Sequence, residues 1–150
     1  MSADCPAGAT SAKAYKDHVD SGAACIVDGK ITKTFSNIEV GVSHLYGLSA
    51  LHDDVESAIT EEEYTVPAMH IDPFIFGANN ITGTYSGDVK KGKLYVNNSY
   101  AGVIGGTFKE GKFSFYARGK FLATDKVELE GLDGSDIVVV EKQRVEIINQ

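Results

Sequence analysis

The sequence has no tryptophan, only two cysteines and three prolines, and no surplus of positive charge. Cys5 and Cys25 are too few and too far apart for a zinc site, which needs four ligands at short spacings. They predict a buried free thiol at Cys25 and an incidental one at Cys5, with a disulfide between them as the alternative. We therefore expect no metal site.

The charge balance and the hydropathy pattern exclude further classes. The formal net charge is -7, from 21 acidic and 14 basic residues, and such a balance repels a nucleic acid unless basic groups gather on one face. No apolar run approaches the ~20 residues of a membrane-spanning helix. The first thirty residues also lack a basic region followed by an apolar stretch. The expectation is a soluble chain without nucleic-acid partners, either cytoplasmic or secreted with its signal removed.

Catalytic motifs are missing as well. The sequence contains no phosphate-binding loop, no Gly-x-Ser-x-Gly turn, no His-Glu-x-x-His and no dinucleotide-binding fingerprint. No motif identifies a family, and we expect no cofactor.

Glycine and aromatic residues are abundant. Sixteen Gly, seven Phe and seven Tyr in 150 residues favour an all-β fold with many turns. A chain of this length is expected to form one core. We therefore predict a flexible segment over residues 1–9 and a single β-barrel domain over residues 10–150.

The first half of the chain shows mixed periodicity. Apolar residues one helical turn apart predict two short helices, over residues 11–21 and 49–60. Asp28-Gly29, between two β-prone runs, predicts a hairpin. Alternation over residues 37–45 predicts a strand with Ile38, Val40 and Val42 on a buried face.

From Tyr64 onward the sequence is extended, with β-prone runs separated by short turn-rich links. Such runs pair as an antiparallel meander. The resulting prediction is about eight to nine strands that close into a small β-barrel, or, as the alternative, a two-sheet β-sandwich.

One phrase recurs in the chain: GDVKKGKLYV over residues 87–96 resembles GTFKEGKFSF over residues 106–115, and VDGKI over residues 27–31 is a third, looser version. We interpret it as a turn motif, in which Gly supplies the turn, Lys is exposed and the next apolar residue faces inward. In the stretch 108–121, alternation places Phe113, Phe115 and Phe121 on one face and leaves Tyr116, Arg118 and Lys120 on the other.

Candidate site residues follow from polar groups near apolar faces. His70 and Asp72 share one parity with Phe74 and Phe76, and a carboxylate beside an imidazole suits acid-base catalysis. The competing interpretation is a strand end at which Asp72 serves the Pro73 turn. Residues predicted to bind a ligand at the barrel mouth or lumen are His44, Tyr46, Phe74, Phe76, Tyr100, Phe113, Phe115 and Arg118.

Three functions remain open from the sequence. The main prediction is a β-barrel that binds a small hydrophobic or amphipathic molecule, with a homo-oligomer allowed. The alternative is a cofactor-independent isomerase or cyclase that uses one or two acid-base residues in the lumen. The second alternative is a secreted interaction or virulence-type protein.

Overall fold

A computed structural model describes residues 1–149 of the chain. The fold divides into two compact units, Met1–Thr65 and Val66–Gln150, and each is described by itself. The single domain expected over residues 10–150 stays a prediction. No helix in the described residues is long and apolar enough to cross a membrane.

The first unit is one antiparallel sheet of seven strands, in the order β1-β4-β3-β2-β5-β6, with β7 also paired to β5. Its long central strand, β5, carries β2 on one side and β6 and β7 on the other. The strands are β1 Ser2–Asp4, β2 Ser11–Lys16, β3 Val19–Val27, β4 Lys30–Thr32, β5 Ser43–His52, β6 Val55–Glu56 and β7 Thr60–Thr65.

Strand alternation gives this sheet a small core. Ala12 and Ala14 of β2 lie opposite Ala50 and Leu48 of β5, and all four side chains are buried together with Ile31. Residues of the other parity, Lys13, Tyr15 and Ser49 among them, form the polar face of the sheet. Because alanine buries little area, this core contributes less hydrophobic stabilisation than a leucine-rich one.

The second unit holds ten strands in two four-stranded antiparallel sheets and one parallel pair. The sheet orders are β13-β14-β10-β8 and β12-β11-β15-β16, and β9 pairs with β17. The strands are β8 Ala68–Ile71, β9 Phe74–Ile75, β10 Asn80–Ser86, β11 Lys91–Val96, β12 Ser99–Gly105, β13 Thr107–Lys109, β14 Lys112–Tyr116, β15 Val127–Leu132, β16 Val138–Arg144 and β17 Ile147–Ile148.

Both four-stranded sheets bury side chains in one common core. Ile81 and Phe115 come from the first sheet, and Leu94 and Leu129 come from the second. Each of these side chains is at most 1 % exposed. The prediction of an all-β fold with antiparallel sheets is confirmed, with β9 and β17 as a short parallel exception. The predicted meander is wrong, because β10 pairs with β14 and β11 with β15 rather than each strand pairing only with the next along the chain.

Two-residue turns set the strand register. Both central residues have positive φ in the turns Asp17-His18, Asp28-Gly29, Asp53-Asp54, Asn97-Asn98 and Glu110-Gly111. This is the backbone of the type I′ hairpin, whose twist matches that of the strands it joins. The predicted hairpin at Asp28-Gly29 is confirmed, with Val27 paired to Lys30.

The two predicted helices are wrong. Residues 11–21 form β2, the Asp17-His18 turn and the start of β3, while residues 49–60 hold the end of β5, the Asp53-Asp54 turn and β6. Asp and His tolerate positive φ far better than most residues, so they make these turns without glycine. The apolar spacing read as a helical stripe belongs to two adjacent strands.

The predicted small barrel is also not supported, because no sheet of the described residues closes on itself. The described residues form seventeen strands instead of the eight or nine expected. The predicted buried face over residues 37–45 is wrong as well, since Val40 is 63 % exposed and Val42 is 37 % exposed. Cys25 is exposed rather than buried, and both cysteines are free.

The turn motif predicted from the repeated phrase is confirmed at two of its three positions. Lys30 and Lys112 follow a positive-φ Gly and are exposed, and the next residues, Ile31 and Phe113, are buried. In the phrase over residues 87–96, Gly92 lies inside β11 instead, where an added Cβ would stand 3.0 Å from the Phe115 ring. Close sheet packing therefore explains that glycine.

Candidate interaction surface

The outer face of the sheet β12-β11-β15-β16 carries a group of aromatic and charged side chains, which we call the Tyr95 surface. Its members are Lys93, Tyr95, Tyr100, Glu130 and Lys142. Lys93 lies opposite Glu130 on β15, and Tyr95 lies opposite Tyr100 on β12. Alternation directs Leu94 the other way into the core, so the same strand builds the core and the surface.

Glu130 is the buried carboxylate to which two other members of this surface bind. Its residue is 5 % exposed, and its Oε2 atom accepts a hydrogen bond of 3.0 Å from the Tyr95 hydroxyl. Lys93 Nζ lies 3.8 Å from the same oxygen. A buried carboxylate needs such partners because leaving water is costly for a charge.

The aromatic rings of the Tyr95 surface are bordered by cations. Lys142 Nζ lies 3.7 Å from the Tyr95 ring centre, and Lys93 Nζ lies 5.2 Å from that of Tyr100. The pKa of Lys93 is raised, first by its interaction with Tyr95 and then by the negative charge of Glu130. Lys93 therefore stays protonated at neutral pH.

The first unit has a separate site, which we call the Tyr46 pocket. It encloses ≈ 360 Å³ and is lined by Lys33, Phe35, Ile38, Tyr46, Glu62 and Tyr64, among others. Tyr46 of β5 lies directly opposite Glu62 of β7, and Tyr64 follows on the same face of β7. Met1 and the segment 33–38 supply the rest of the wall.

Two buried polar atoms of this face have no hydrogen-bond partner among the described residues: the Tyr46 hydroxyl and His44 Nε2. The other ring nitrogen of His44 lies 2.8 Å from Asp17 Oδ2. Burial, the Asp17 carboxylate and Tyr64 together raise the pKa of Tyr46. The backbone N–H of Leu45, followed by His44, lowers the pKa of Asp17.

A third polar group lies on the opposite face of the first unit. Ser49, 1 % exposed, and Tyr15 both donate hydrogen bonds to Glu56 Oε1, and Lys13 Nζ lies 3.5 Å from Oε2. The Ser49 and Tyr15 hydrogen bonds lower the pKa of Glu56. All polar atoms here are satisfied, so the group stabilises the sheet and leaves no functional group free.

The predicted catalytic pair lies on the surface of the second unit. His70 and Asp72 are both exposed, whereas Phe74 is 4 % exposed, so the four residues do not share one face as predicted. Asp72 Oδ2 accepts a hydrogen bond from the Thr82 hydroxyl and its backbone N–H bonds Thr82 O. Asp72 thus anchors a strand end.

The residues predicted to bind a ligand separate into three groups. Phe74, Phe113 and Phe115 are core residues of the second unit, at most 4 % exposed. Phe76, Tyr100 and Arg118 lie on its exterior, where Arg118 Nη1 donates to Asn79 Oδ1 at 3.4 Å. His44 and Tyr46 come together on the first unit, where their ring centres are 6.1 Å apart in an edge contact.

Sequence reasoning missed Lys93, Glu130 and Lys142. The period of two in KGKLYV and VELEGL places Lys93, Tyr95 and Glu130 on outward positions, but the sequence does not show that β11 and β15 are neighbours. A pairing between strands more than thirty residues apart has no local signal.

Comparison with known proteins gives one family. A model described as "Bacterial Ig domain (Big_16)" matches residues 67–149, which is more than half of the chain. This finding contradicts the predicted small-molecule-binding barrel and its isomerase or cyclase alternative. No curated protein is similar enough to this sequence to count as a match.

Two solved structures show weak similarity. The fibronectin(III)-like modules of Clostridium thermocellum CbhA align at 11 % identity and a TM-score of 0.36, over 95 % of this chain and 78 % of theirs. The central fibronectin-III array of RIM-binding protein aligns at 9 % identity and a TM-score of 0.31, over 95 % of this chain and 60 % of its own. Neither likeness is strong enough to carry an argument.

Proposed function

This chain belongs to the bacterial Ig domain family through residues 67–149, and we propose that it serves as an interaction module of an extracellular protein. This proposal keeps the interaction role of the second alternative, a secreted interaction or virulence-type protein, and makes no claim of virulence. Fold alone does not assign a function, so the proposal rests on the Tyr95 surface.

We also propose that the second unit is a two-sheet β-sandwich of immunoglobulin type. Reading β8, β10, β13 and β14 as strands A, B, D and E gives the sheet order D-E-B-A. The second sheet, β12-β11-β15-β16, then corresponds to C′-C-F-G. These are the sheet compositions of immunoglobulin sandwiches that carry a C′ strand. Leu94, Leu129 and Ile81 fill the interior where antibody domains place a Trp and a disulfide.

The observation that carries the interaction role is the Tyr95 surface on the second of these sheets. Tyr100 is 49 % exposed, with Lys93 Nζ over its ring. It lies opposite Tyr95, whose hydroxyl donates to the buried Glu130 and whose ring borders Lys142. Tyrosine supplies a large amphipathic contact area, and aromatic residues are enriched at protein interfaces. Because Glu130 and the cross-strand pairs hold the neighbouring rings in place, a partner that contacts them has little side-chain entropy to freeze.

Site-specific photo-crosslinking tests this proposal. A photoreactive phenylalanine analogue is placed at Tyr100 and, as the matched control, at Tyr116, which is 57 % exposed on a strand of the other sheet. In the native cells, we expect the analogue at position 100 to give a discrete crosslinked protein. The analogue at position 116 should not give this product. Equal crosslinking at both positions, or none at position 100, overturns the role of the surface.

The extracellular location needs its own measurement. Protease treatment of intact cells, together with analysis of the culture medium, should find the chain accessible while a cytoplasmic marker stays protected. Complete protection of the chain with intact cells would contradict an extracellular module.

A further inference from the structure

The first unit carries all of the net charge of the chain. Residues 1–65 hold eleven acidic and four basic residues, whereas residues 66–150 hold ten of each, so the first unit accounts for the full −7. A net charge of this size on a small unit attracts cationic partners and repels anionic ones. Three of these carboxylates, Glu61, Glu62 and Glu63, lie on β7.

Strand parity sends only one of those three glutamates to the Tyr46 pocket. Glu62 lies opposite Tyr46 and lines the pocket, while Glu61 lies opposite Gly47 on the other sheet face. Glu61 is within 3.0 Å of His18 Nδ1, and Glu63 accepts a hydrogen bond from the Ser43 hydroxyl. Glu62 has no ion pair or side-chain hydrogen bond among the described residues.

The walls of the Tyr46 pocket are aromatic. The ring centres of Phe35 and Tyr46 are 4.6 Å apart with the planes tilted by 57°, and Tyr64, 50 % exposed, stands diagonally across β5 and β7. An aromatic ring attracts a cation placed within about 6 Å of its centre. Aromatic walls with a carboxylate at the rim suit a cation on an apolar stem better than a neutral or anionic group.

A buried polar atom in the lining points independently to a bound group. Tyr46 is 4 % exposed, and its hydroxyl has no partner among the described residues. A buried hydroxyl without a partner is costly, and native proteins satisfy nearly all such groups. The oxygen is fully buried, so a guest can donate a hydrogen bond to it only after the covering side chains move aside.

Two cations also lie in the lining, and each donates a hydrogen bond to a backbone carbonyl oxygen rather than to Glu62. Lys33 Nζ donates to the Ala23 carbonyl at 2.8 Å, and the Met1 ammonium donates to the Lys33 carbonyl at 3.2 Å. Neither forms an ion pair with Glu62 among the described residues, so the carboxylate remains available to an incoming cation.

We propose that the Tyr46 pocket binds an arginine side chain presented by a basic segment of a partner protein. The guanidinium stacks on the aromatic wall and donates to Glu62 and to the Tyr46 hydroxyl. Arginine suits the site because its planar, weakly hydrated cation combines stacking with paired N–H donors. The inference deepens the proposed interaction function, using a site outside the residues that match the family.

The test is an NMR titration of the full chain with the blocked tripeptide acetyl-Ala-Arg-Ala-amide. We expect saturable shift changes centred on Phe35, Tyr46, Glu62 and Tyr64. The matched peptide with citrulline, which keeps the shape of arginine without the charge, should give none of them. Shifts spread evenly over the acidic unit, or equal shifts with citrulline, overturn the proposal.

Variants separate a specific site from general charge attraction. Glu62→Gln should weaken binding by about tenfold, the loss expected for one charge-assisted hydrogen bond. Glu61→Gln changes the net charge equally but lies on the other sheet face, so it should leave the affinity within about twofold. Equal weakening by both variants contradicts a defined pocket.

Lys33→Ala gives a test of opposite sign, because it removes a cation from the lining and should tighten arginine binding. Weaker binding in this variant contradicts the proposed charge preference. A flat titration leaves the Tyr100 crosslink unaffected, so failure of this inference is distinguishable from failure of the proposed function.

Discussion

The Tyr95 hydroxyl donates a hydrogen bond of 3.0 Å to Glu130 Oε2, on a carboxylate whose residue is only 5 % exposed. Removing the donor leaves a largely buried charged oxygen that depends on Lys93 at 3.8 Å. Loss of one partner from a buried polar group costs about 1–3 kcal/mol. The Tyr95 surface is therefore coupled to the stability of the unit that presents it.

Tyr95→Phe is expected to lower the free energy of unfolding of the second unit by about 1–3 kcal/mol. Urea denaturation, with hydrogen exchange of the Leu94 and Leu129 amides as the readout, measures this loss of unfolding free energy. Tyr100→Phe is the control: it removes a hydroxyl from a side chain that is 49 % exposed, and should change stability by less than about 0.5 kcal/mol. Equal effects of the two variants would show that the bond to Glu130 contributes nothing.

Gly83→Ala is expected to destabilise the second unit strongly. A Cβ at Gly83 would stand 2.0 Å from the His70 carbonyl oxygen and 2.6 Å from the Phe113 ring, so β8 and β10 must move apart. Overpacking of this kind costs on the order of 3 kcal/mol or more. Thermal unfolding by circular dichroism measures it.

Gly134→Ala is the matched control, since nothing lies within 4 Å of a Cβ at that position and its φ is not in the left-handed region. This variant should be neutral or stabilising by a few tenths of a kcal/mol, up to about 1 kcal/mol. Near-equal melting temperatures for the two alanine variants would contradict the close approach of β8 to β10.

The sequence predicted the fold where the signal was local. Alternation predicts Phe113 and Phe115 on the inward face of a strand, and Asp28-Gly29 predicts a hairpin. Both signals can be recognised from residues that are adjacent in the sequence. The Asp17-His18 and Asp53-Asp54 turns lack glycine, so the apolar spacing of their flanking strands predicts helices instead. Local pattern also cannot tell an open sheet from a closed barrel.

The sites depended on pairings that the sequence does not encode locally. His44 and Tyr46 were predicted together because they are two residues apart on one strand. Glu62 joins them only through the pairing of β5 with β7, and Glu130 joins Tyr95 only through the pairing of β11 with β15. Chemistry assembled across strands therefore required the structure.

Acid should weaken the first unit through Glu56. Hydrogen bonds from Ser49 and Tyr15 lower the pKa of Glu56 below its ordinary 4.5, so its folded-state pKa lies below its unfolded-state value. The stabilisation is complete above the unfolded pKa and is lost as the pH falls through the folded pKa. Hydrogen-exchange protection of the Ser49 and Ala50 amides, corrected for intrinsic rates, should fall in the wild type below about pH 4.5.

Glu56→Gln should reduce the loss of hydrogen-exchange protection below about pH 4.5 and should lower the protection at neutral pH. Glu39→Gln is the control, since the Glu39 carboxylate has no hydrogen bond or ion pair in the part of the chain that the structure describes. If Glu56→Gln leaves the acid-induced loss as steep as in the wild type, the lost stability comes from another carboxylate. Asp17 is then the first candidate, because the Leu45 N–H and His44 also lower its pKa.

Substitution of Asp54 distinguishes a hairpin from a helix by the sign of its effect. In the Asp53-Asp54 turn both residues have positive φ, at 46° and 63°, and Gly adopts this region at no steric cost. Asp54→Gly should therefore stabilise the first unit by about 0.5–1 kcal/mol, and Asp54→Ala should destabilise it by about 1 kcal/mol. A helix over residues 49–60 requires the reverse order, because Ala is the best and Gly nearly the worst helix former. The midpoint of urea unfolding for the two variants, each compared with the wild type, decides between these backbones: a more stable Ala variant would restore the helix.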